Sequence, residues 1–256
     1  MSVNNISKIM QYLRLMTKEP VEVDGVTYDL YRKQIRLADT FFDTDDCISC
    51  NCCCVTEDNV FTEYEYGIIQ NTKPEDFINH GNPGENLQKL KDGLVEEIHT
   101  VNGHEVKLYV YKNSPQKWYV ERKQRECDRC GWIYEDNGRF LCGIHLVSSI
   151  TCKMPHLRMF YNSSSGTISL AISQYGRNWA LGCPIKFRKP KDEEEFINIH
   201  KSRVEKLQLL DNVAKSLTID TYIPEIIDYI SNITWDNYKE RIGKPVIVFD
   251  KVHKMI

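Results

Sequence analysis

Five of the ten cysteines in this chain fall between Cys47 and Cys54, in a run of only eight residues. Cys47, Cys50 and Cys53 are each separated by two residues and Cys54 follows directly, so the run reads CxxCxxCC with Cys52 as an additional thiol. The thiolate is the form that ligates a metal, and clustered thiols resist deprotonation unless a cation compensates the charge. The run therefore predicts a metal-binding site.

The thiols also indicate which metals to expect. Thiolates without a set of accompanying carboxylates favour zinc, copper(I) or an iron–sulfur cluster over calcium or magnesium. The spacing of Cys47, Cys50 and Cys53 equals that of the first three ligands in a bacterial ferredoxin motif, and a fourth ligand must then come from elsewhere. The first interpretation is therefore a [4Fe–4S] cluster, with Cys183, which precedes Pro184, as a candidate for the remote ligand.

Structural zinc is the alternative interpretation. Cys47-x2-Cys50 and Cys127-x2-Cys130 each provide half of a four-cysteine zinc site, and the chain has enough thiols for two such sites. Adjacent Cys53 and Cys54 cannot easily point at one small ion, which indicates two centres or one ligand beside a bystander. Nine cysteines are predicted to bind metal: Cys47, Cys50, Cys53, Cys54, Cys127, Cys130, Cys142, Cys152 and Cys183.

Composition limits the class of protein. The 256 residues contain 41% hydrophobic and 27% charged residues and no apolar run long enough to cross a membrane, so we expect a soluble protein. The absence of a signal-peptide pattern predicts a cytoplasmic protein with reduced thiols, and a net charge of −3 argues against nucleic acid as a partner. No HExxH, P-loop or GxGxxG motif assigns a catalytic residue, so neither an enzymatic activity nor a protein or small-molecule substrate is specified.

The elements that must position the cysteines indicate an α+β fold. Apolar residues at helical spacing predict an N-terminal helix that ends before Pro20. Hairpins are predicted at Asp24-Gly25, at Asn102-Gly103 and at Asn137-Gly138, because these pairs favour two-residue turns. The last hairpin would bring Cys130 and Cys142 to the same end of a ribbon. We therefore expect a cysteine-rich core of hairpins and loops around one or two metal centres, flanked by the N-terminal helix and C-terminal helices.

Two regions outside the cysteine core complete the prediction. Asp192 starts a helix with one apolar stripe, and a second helix begins near Pro224 and runs towards Gly243. The start of this helical pattern and the lack of cysteines after Cys183 divide the chain into two predicted parts. These are a cysteine-rich metal-binding domain, 1–190, and a helical C-terminal extension packed on it, 191–256. Residues 60–70 could be strand or helix, and residues 74–94 are predicted to be a surface excursion with a short helical run at 86–90.

The order of the cysteines resembles a family of zinc- or iron-chelating proteins that is named after the CxxCxxCC pattern and includes a flagellin lysine N-methylase branch. The match spans residues 47 to 184 and consists of CxxCxxCC, Cys130, Gly138-Arg139-Phe140-Leu141-Cys142-Gly143-Ile144-His145, Cys152 and Cys183-Pro184. His145 replaces the family's tyrosine, and Ser148-Ser149 replaces its Arg-Pro. The resemblance implies a metal site, chiefly an iron–sulfur cluster, and in the methylase branch S-adenosylmethionine as the methyl donor.

Overall fold

The computed structural model describes most of the chain but only part of the predicted site. The described residues are 5–14, 16–29, 34–37, 41–42, 58–120, 125–153, 158–162, 164, 167–171, 187–241 and 245–248. The predicted ligands Cys47, Cys50, Cys53, Cys54 and Cys183 lie outside them, as does the side chain of Cys127. Of the nine predicted ligands, the structure describes the side chains of Cys130, Cys142 and Cys152.

The larger sheet is antiparallel and has five strands. Its members are β1 (Val21–Val23), β2 (Val26–Tyr28), β5 (Asn59–Thr62), β6 (Leu94–Val101) and β7 (His104–Tyr111), in the order β2-β1-β6-β7-β5. The turns at Asp24-Gly25 and Asn102-Gly103 join β1 to β2 and β6 to β7, and all four turn residues have positive φ. Both predicted hairpins are confirmed.

A second sheet of four strands and three ribbons account for the other strands. The sheet contains β3 (Gln34–Leu37), β12 (Arg158–Asn162), β13 (Thr167–Ala171) and β15 (Pro245–Val248), in the order β12-β13-β3-β15. The ribbons are β4 (Phe41–Phe42) with β14 (Phe187–Arg188), β8 (Gln116–Val120) with β9 (Arg125–Arg129), and β10 (Ile133–Asp136) with β11 (Arg139–Cys142). In the first ribbon Phe42 pairs with Phe187, so the segments that lead to Cys47 and back to Cys183 leave the same end of the ladder.

The first hydrophobic cluster unites the N-terminal helix with the C-terminal helices. Helix α1 (Asn5–Leu13) buries one face, and it shares the cluster with α6 (Glu193–Ser216) and α7 (Ile223–Ser231). Asp192 caps α6 by accepting a hydrogen bond from the Glu195 amide at 2.9 Å. The predicted helix starts near Asp192 and Pro224 are confirmed, but α7 ends at Ser231, and the short α8 (Tyr238–Arg241) precedes β15.

The second hydrophobic cluster contains Cys130, and Cys142 packs against it. It is formed around helices α2 (Glu63–Asn71), α3 (Pro74–Asn79) and α4 (Gly84–Gly93) and the β10-β11 ribbon. Phe77, Leu87 and Leu90 are buried there, so the prediction of a surface excursion at 74–94 is wrong. Strand β5 lies between the two clusters, because Val60 faces the first and Phe61 the second.

These elements confirm a mixed α+β architecture. None of the helices in the described ranges is long and apolar enough to span a membrane. The first cluster contains residues from both sides of position 190. The domain boundary placed there from sequence remains a prediction.

Candidate functional site

The β10-β11 ribbon brings two predicted ligands together. Its turn residues Asn137 and Gly138 have φ values of 51° and 74°, the left-handed conformation that a two-residue hairpin turn requires. Cys142 pairs with Ile133, and Cys130 precedes β10 and accepts a hydrogen bond from the Ile133 amide through its carbonyl, at 3.2 Å. The two cysteines therefore lie at one end of the ribbon, as the sequence predicts.

Each of these cysteines is followed by a glycine that has no room for a side chain. A Cβ on Gly131 would collide with the backbone carbonyl of Ser114, and one on Gly143 would collide with the side-chain amide of Asn86. The Gly143 amide also donates a hydrogen bond to the Trp132 carbonyl at 2.7 Å. Other parts of the protein therefore pack closely against the residue that follows each cysteine.

An asparagine side chain holds Cys130. The Nδ2 group of Asn113 donates a hydrogen bond to the Cys130 sulfur at 2.9 Å, and Oδ1 of the same amide accepts one from the Gly131 backbone at 3.1 Å. A backbone N–H can only donate, so the oxygen of the Asn113 amide must face Gly131 and its NH2 group must face the sulfur. The orientation of this donor is thus set by its partners.

A second asparagine repeats the arrangement at Cys152, which lies on helix α5 (Ile150–Lys153). Buried Asn59 donates from Nδ2 to the Cys152 sulfur at 3.3 Å, and its Oδ1 accepts a hydrogen bond from Trp132 Nε1 at 3.0 Å. An indole N–H only donates, so the NH2 group again must face the sulfur. Ser149 adds a hydroxyl donor 3.6 Å from the same sulfur.

The three described thiols interact electrostatically with one another. Burial raises the pKa of the Cys142 thiol to about 12, and negative charge on Cys152 and Cys130 would raise it further, whereas a hydrogen bond from the Ile144 amide opposes the shift. The pKa of Cys152 is also raised by the protein packed around its thiol, although the residue keeps an exposed surface. Without a cation, Cys142 therefore stays protonated at neutral pH, and the raised pKa of Cys152 favours its protonated form as well.

One cation and one carboxylate accompany the thiols. Lys153 follows Cys152 on α5 and donates to the Leu146 carbonyl at 3.3 Å, and its charge favours the thiolate of Cys142. Buried Glu65 accepts a hydrogen bond from the Ile150 amide at the start of α5. His145, whose spacing from Cys142 would permit ligation, is an exposed residue at the start of the 3₁₀ helix His145–Val147.

The three thiols do not make a metal site by themselves. Within the part of the chain that the structure describes, no group of three His, Cys, Asp or Glu side chains is arranged to hold a metal ion. Five of the nine predicted ligands lie outside that part, and metal ligation by Cys130, Cys142 and Cys152 stays a prediction.

Residues that are not cysteines contribute contacts that the sequence analysis missed. Asn59 and Asn113 carry no motif that would mark them as sulfur donors. Ser149 stands three residues before Cys152, a spacing at which a serine hydroxyl before a helix can contact a residue in its first turn. Thr62-x-x-Glu65 matches a helix capping box. The last two signals were available in the sequence.

An open groove adjoins the segment between Cys142 and Cys152. It has a volume of about 680 Å³ and is lined by residues of α2, by Asp76 of α3, by His80 directly after α3 and by Leu146. This volume lies within the range of small-molecule sites, roughly 300 to 1,000 Å³. The groove is wide open to solvent, however, so its volume alone assigns no ligand to it.

Comparison of the chain with protein-family models, with curated proteins and with solved structures found no match. The resemblance to the CxxCxxCC family therefore remains a prediction.

Proposed function

We propose that the protein is a cysteine-rich metal-binding protein that carries a [4Fe–4S] cluster. The ligands are drawn from the nine cysteines predicted from sequence. Among them are Cys130, which precedes the β10-β11 ribbon, Cys142 at the end of β11, and Cys152 on helix α5. The remaining ligands come from the CxxCxxCC run and the other predicted cysteines.

The observation that carries this proposal is the pair of amides directed at sulfur. Asn113 and Asn59 each have their oxygen occupied by a donor, so each presents N–H to a cysteine sulfur. A neutral thiol sulfur is a weak acceptor, whereas a thiolate is a charged one and forms stronger hydrogen bonds. Hydrogen bonds to the ligand sulfurs are also one of the means by which proteins set the reduction potential of iron–sulfur clusters. The arrangement therefore fits sulfurs that carry negative charge.

The charge balance supports the same conclusion. Burial keeps the thiol of Cys142 protonated at neutral pH, and it raises the pKa of Cys152 as well. A bound cation would replace those protons, so metal binding releases protons and stabilises the folded chain.

Chain length limits how far Cys54 can lie from Asn59, the residue that contacts Cys152. Cys54 precedes Asn59 by five residues, so the Cα atoms of Cys54 and Asn59 are at most about 18 Å apart. The side chain of Asn59 contacts the sulfur of Cys152. At the other end of the run, Cys47 follows Phe42 by five residues, and Cys183 precedes Phe187, the pairing partner of Phe42, by four. Cys47 and Cys183 are therefore joined by short segments to two strands that pair with each other.

Metal and acid-labile sulfide analysis of protein purified without oxygen tests the proposal, together with an absorption spectrum. About four irons and four sulfides per chain, with visible absorption that bleaches on reduction, are expected for a single cluster. Zinc without sulfide would replace the cluster by structural zinc and make the protein an interaction module. Absence of both metals from protein that is folded and reduced would contradict metal binding altogether.

The resemblance extends the proposal to a lysine N-methylase-like or redox enzyme. Calorimetric titration with S-adenosylmethionine tests the methylase branch, for which saturable binding is expected. No heat of binding to the cluster-loaded protein would remove that branch and leave the redox interpretation.

A further inference from the structure

Glu65 links two parts of the molecule that are far apart in sequence. Its carboxylate is buried, with only 4% of the residue exposed. Oε2 accepts hydrogen bonds from the backbone N–H and the hydroxyl of Thr62, at 2.8 Å and 3.0 Å. Oε1 accepts a third bond from the Ile150 amide at 2.6 Å, across 85 residues of chain.

The third bond goes beyond the usual role of a glutamate at this position. In a capping box, the glutamate of the first helical turn returns to the residue that begins its own helix. Glu65 does so for α2 with one oxygen, and its other oxygen binds the first residue of α5, the helix that carries Cys152. One buried carboxylate therefore serves the starts of two helices.

Helix α5 depends on such external contacts because it is only four residues long. A single turn gains too few hydrogen bonds to form by itself. Its internal bonds run from the Cys152 and Lys153 amides to the Ser149 carbonyl, at 2.9 Å and 3.0 Å. The buried side chain of Ile150 and the bond from Glu65 fix the turn to the rest of the protein.

Three neighbouring residues compensate the cost of burying Glu65. Burial raises the pKa of the carboxyl, and the hydrogen bonds from Thr62 and Ile150 and the positive charge of Lys153 act in the opposite direction. Lys153 lies on α5, so this charge also favours the contact between the two helices.

The same stretch of chain contains the amide donor to Cys152. Asn59 begins β5, and Thr62 and Glu65 follow at intervals of three residues. Asn59 contacts the sulfur of Cys152, and Glu65 contacts the start of its helix. This stretch begins five residues after Cys54, so it also connects the CxxCxxCC run to α5.

We propose that Glu65 is a positioning residue for the metal site, which holds α5 so that the Cys152 sulfur meets Asn59 and the other thiols. The proposal rests on the proposed metal-binding function. Glu65 ligates no metal in this role and acts only through Ile150 and the helix that follows it.

Glu65→Gln tests the role, with Glu75→Gln as the matched control. Both replacements change a carboxylate into an amide in the first turn of a helix, but Glu75 is exposed. Glutamine has one oxygen and one NH2 group, so in Glu65→Gln the NH2 group must face the donors of either Thr62 or Ile150. The hydrogen bonds on that side are then lost. Hydrogen exchange at the Ile150 amide and the alkylation rate of Cys152 by iodoacetamide are measured in metal-free protein, and affinity for Zn²⁺ is measured by competition with a chelator.

We expect Ile150 exchange and Cys152 alkylation at least about ten times faster in Glu65→Gln, and zinc affinity about ten- to one-hundred-fold weaker, the usual range for residues that orient ligands. Glu75→Gln should match the wild type. Unchanged exchange and alkylation in Glu65→Gln would overturn the role of Glu65, and so would unchanged zinc affinity. If the wild type binds neither zinc nor a cluster, the proposed function fails, while Ile150 exchange still decides whether Glu65 holds α5.

Glu65→Asp gives the same comparison if Glu65→Gln does not fold. Aspartate remains within reach of Thr62 in its own turn but is one methylene too short to reach Ile150 as well. Faster Ile150 exchange in a folded Glu65→Asp variant is expected, and wild-type exchange would overturn the proposal.

Discussion

The side-chain amide of Asn113 binds the sulfur of Cys130 at 2.9 Å, and its orientation is fixed by the backbone of the next residue, Gly131. A similar relationship joins Asn59 to Cys152, with Trp132 as the orienting donor. Asn59 lies in β5 and Asn113 in the loop between β7 and β8, so two separate parts of the chain direct amide donors at cysteine sulfurs.

Asn113→Asp should weaken metal binding. Aspartate has the shape of asparagine, but it places an anionic oxygen where the amide directs N–H at the Cys130 sulfur, and it would repel a thiolate. We expect affinity for Zn²⁺, measured by competition with a chelator, to fall about ten- to one-hundred-fold. Asn79→Asp makes the same charge change at an exposed position and should bind zinc as the wild type does. Equal affinities in the two variants would show that the amide is unimportant to the site.

Gly138→Ala should destabilise the ribbon that carries Cys130 and Cys142. Gly138 has a φ of 74°, and a Cβ there would meet nothing within 4 Å, so the effect comes from the backbone alone. A left-handed residue with a side chain costs about 1 to 2 kcal/mol. The free energy of unfolding in urea should therefore fall by about 1 kcal/mol.

Gly67→Ala is the matched control for that change, with the opposite expected sign. Gly67 lies inside helix α2 and also has open space around the position of a Cβ. Alanine exceeds glycine in helix stability by up to about 1 kcal/mol, so this variant should unfold at higher urea concentration. A loss of stability in both variants would mean that steric contact of the added methyl group, and not the positive φ of Gly138, destabilises Gly138→Ala.

The sequence predicts the local part of the site well. The pair Asn137-Gly138 specifies a two-residue turn, and that turn alone sets the register that places Cys142 opposite Ile133. Proximity of Cys130 and Cys142 was therefore predictable without knowledge of the fold. The Asp192 cap and the proline near the start of α7 were predictable for the same reason.

The contacts around the thiols were not predictable, because they depend on tertiary structure. Asn59 reaches Cys152 across 93 residues and Asn113 reaches Cys130 across 17, and neither spacing follows from a local pattern. The error at residues 74–94 has a related cause. The Gly-Asn-Pro-Gly segment there indicates a break in structure, but Phe77 and Leu90 on either side of it are buried by other elements.

Stability should fall in acid because of His200. This residue is buried on α6 against Phe196, and burial together with the nearby charge of Arg203 lowers its pKa to about 3. The unfolded chain binds a proton near pH 6.5, whereas the folded chain does not until the pH falls to about 3. The contribution of His200 to stability is thus fully present above pH 6.5 and is lost as the pH falls from 6.5 towards 3, by an amount on the order of 5 kcal/mol.

Urea unfolding of the wild type and His200→Gln between pH 7 and pH 4 measures this effect. The wild type should lose more stability than the variant over that range, because glutamine does not titrate. His104→Gln removes an exposed histidine and should follow the wild type. Parallel pH profiles for all three proteins would contradict the assignment to His200.

Serine replacements along the CxxCxxCC run test the ligand set itself. Cys50→Ser and Cys53→Ser should lose most of their metal and unfold at lower urea concentration, because metal affinity contributes directly to folding free energy. Cys52→Ser should keep its metal, since Cys52 falls outside the repeating spacing, and it is the matched control. Cys152→Ser should resemble Cys50→Ser if the described thiols and the run form one centre, and metal content per chain measured on all four variants makes the comparison. Loss of metal from Cys52→Ser as complete as that from Cys50→Ser would show that the ligands have been assigned wrongly.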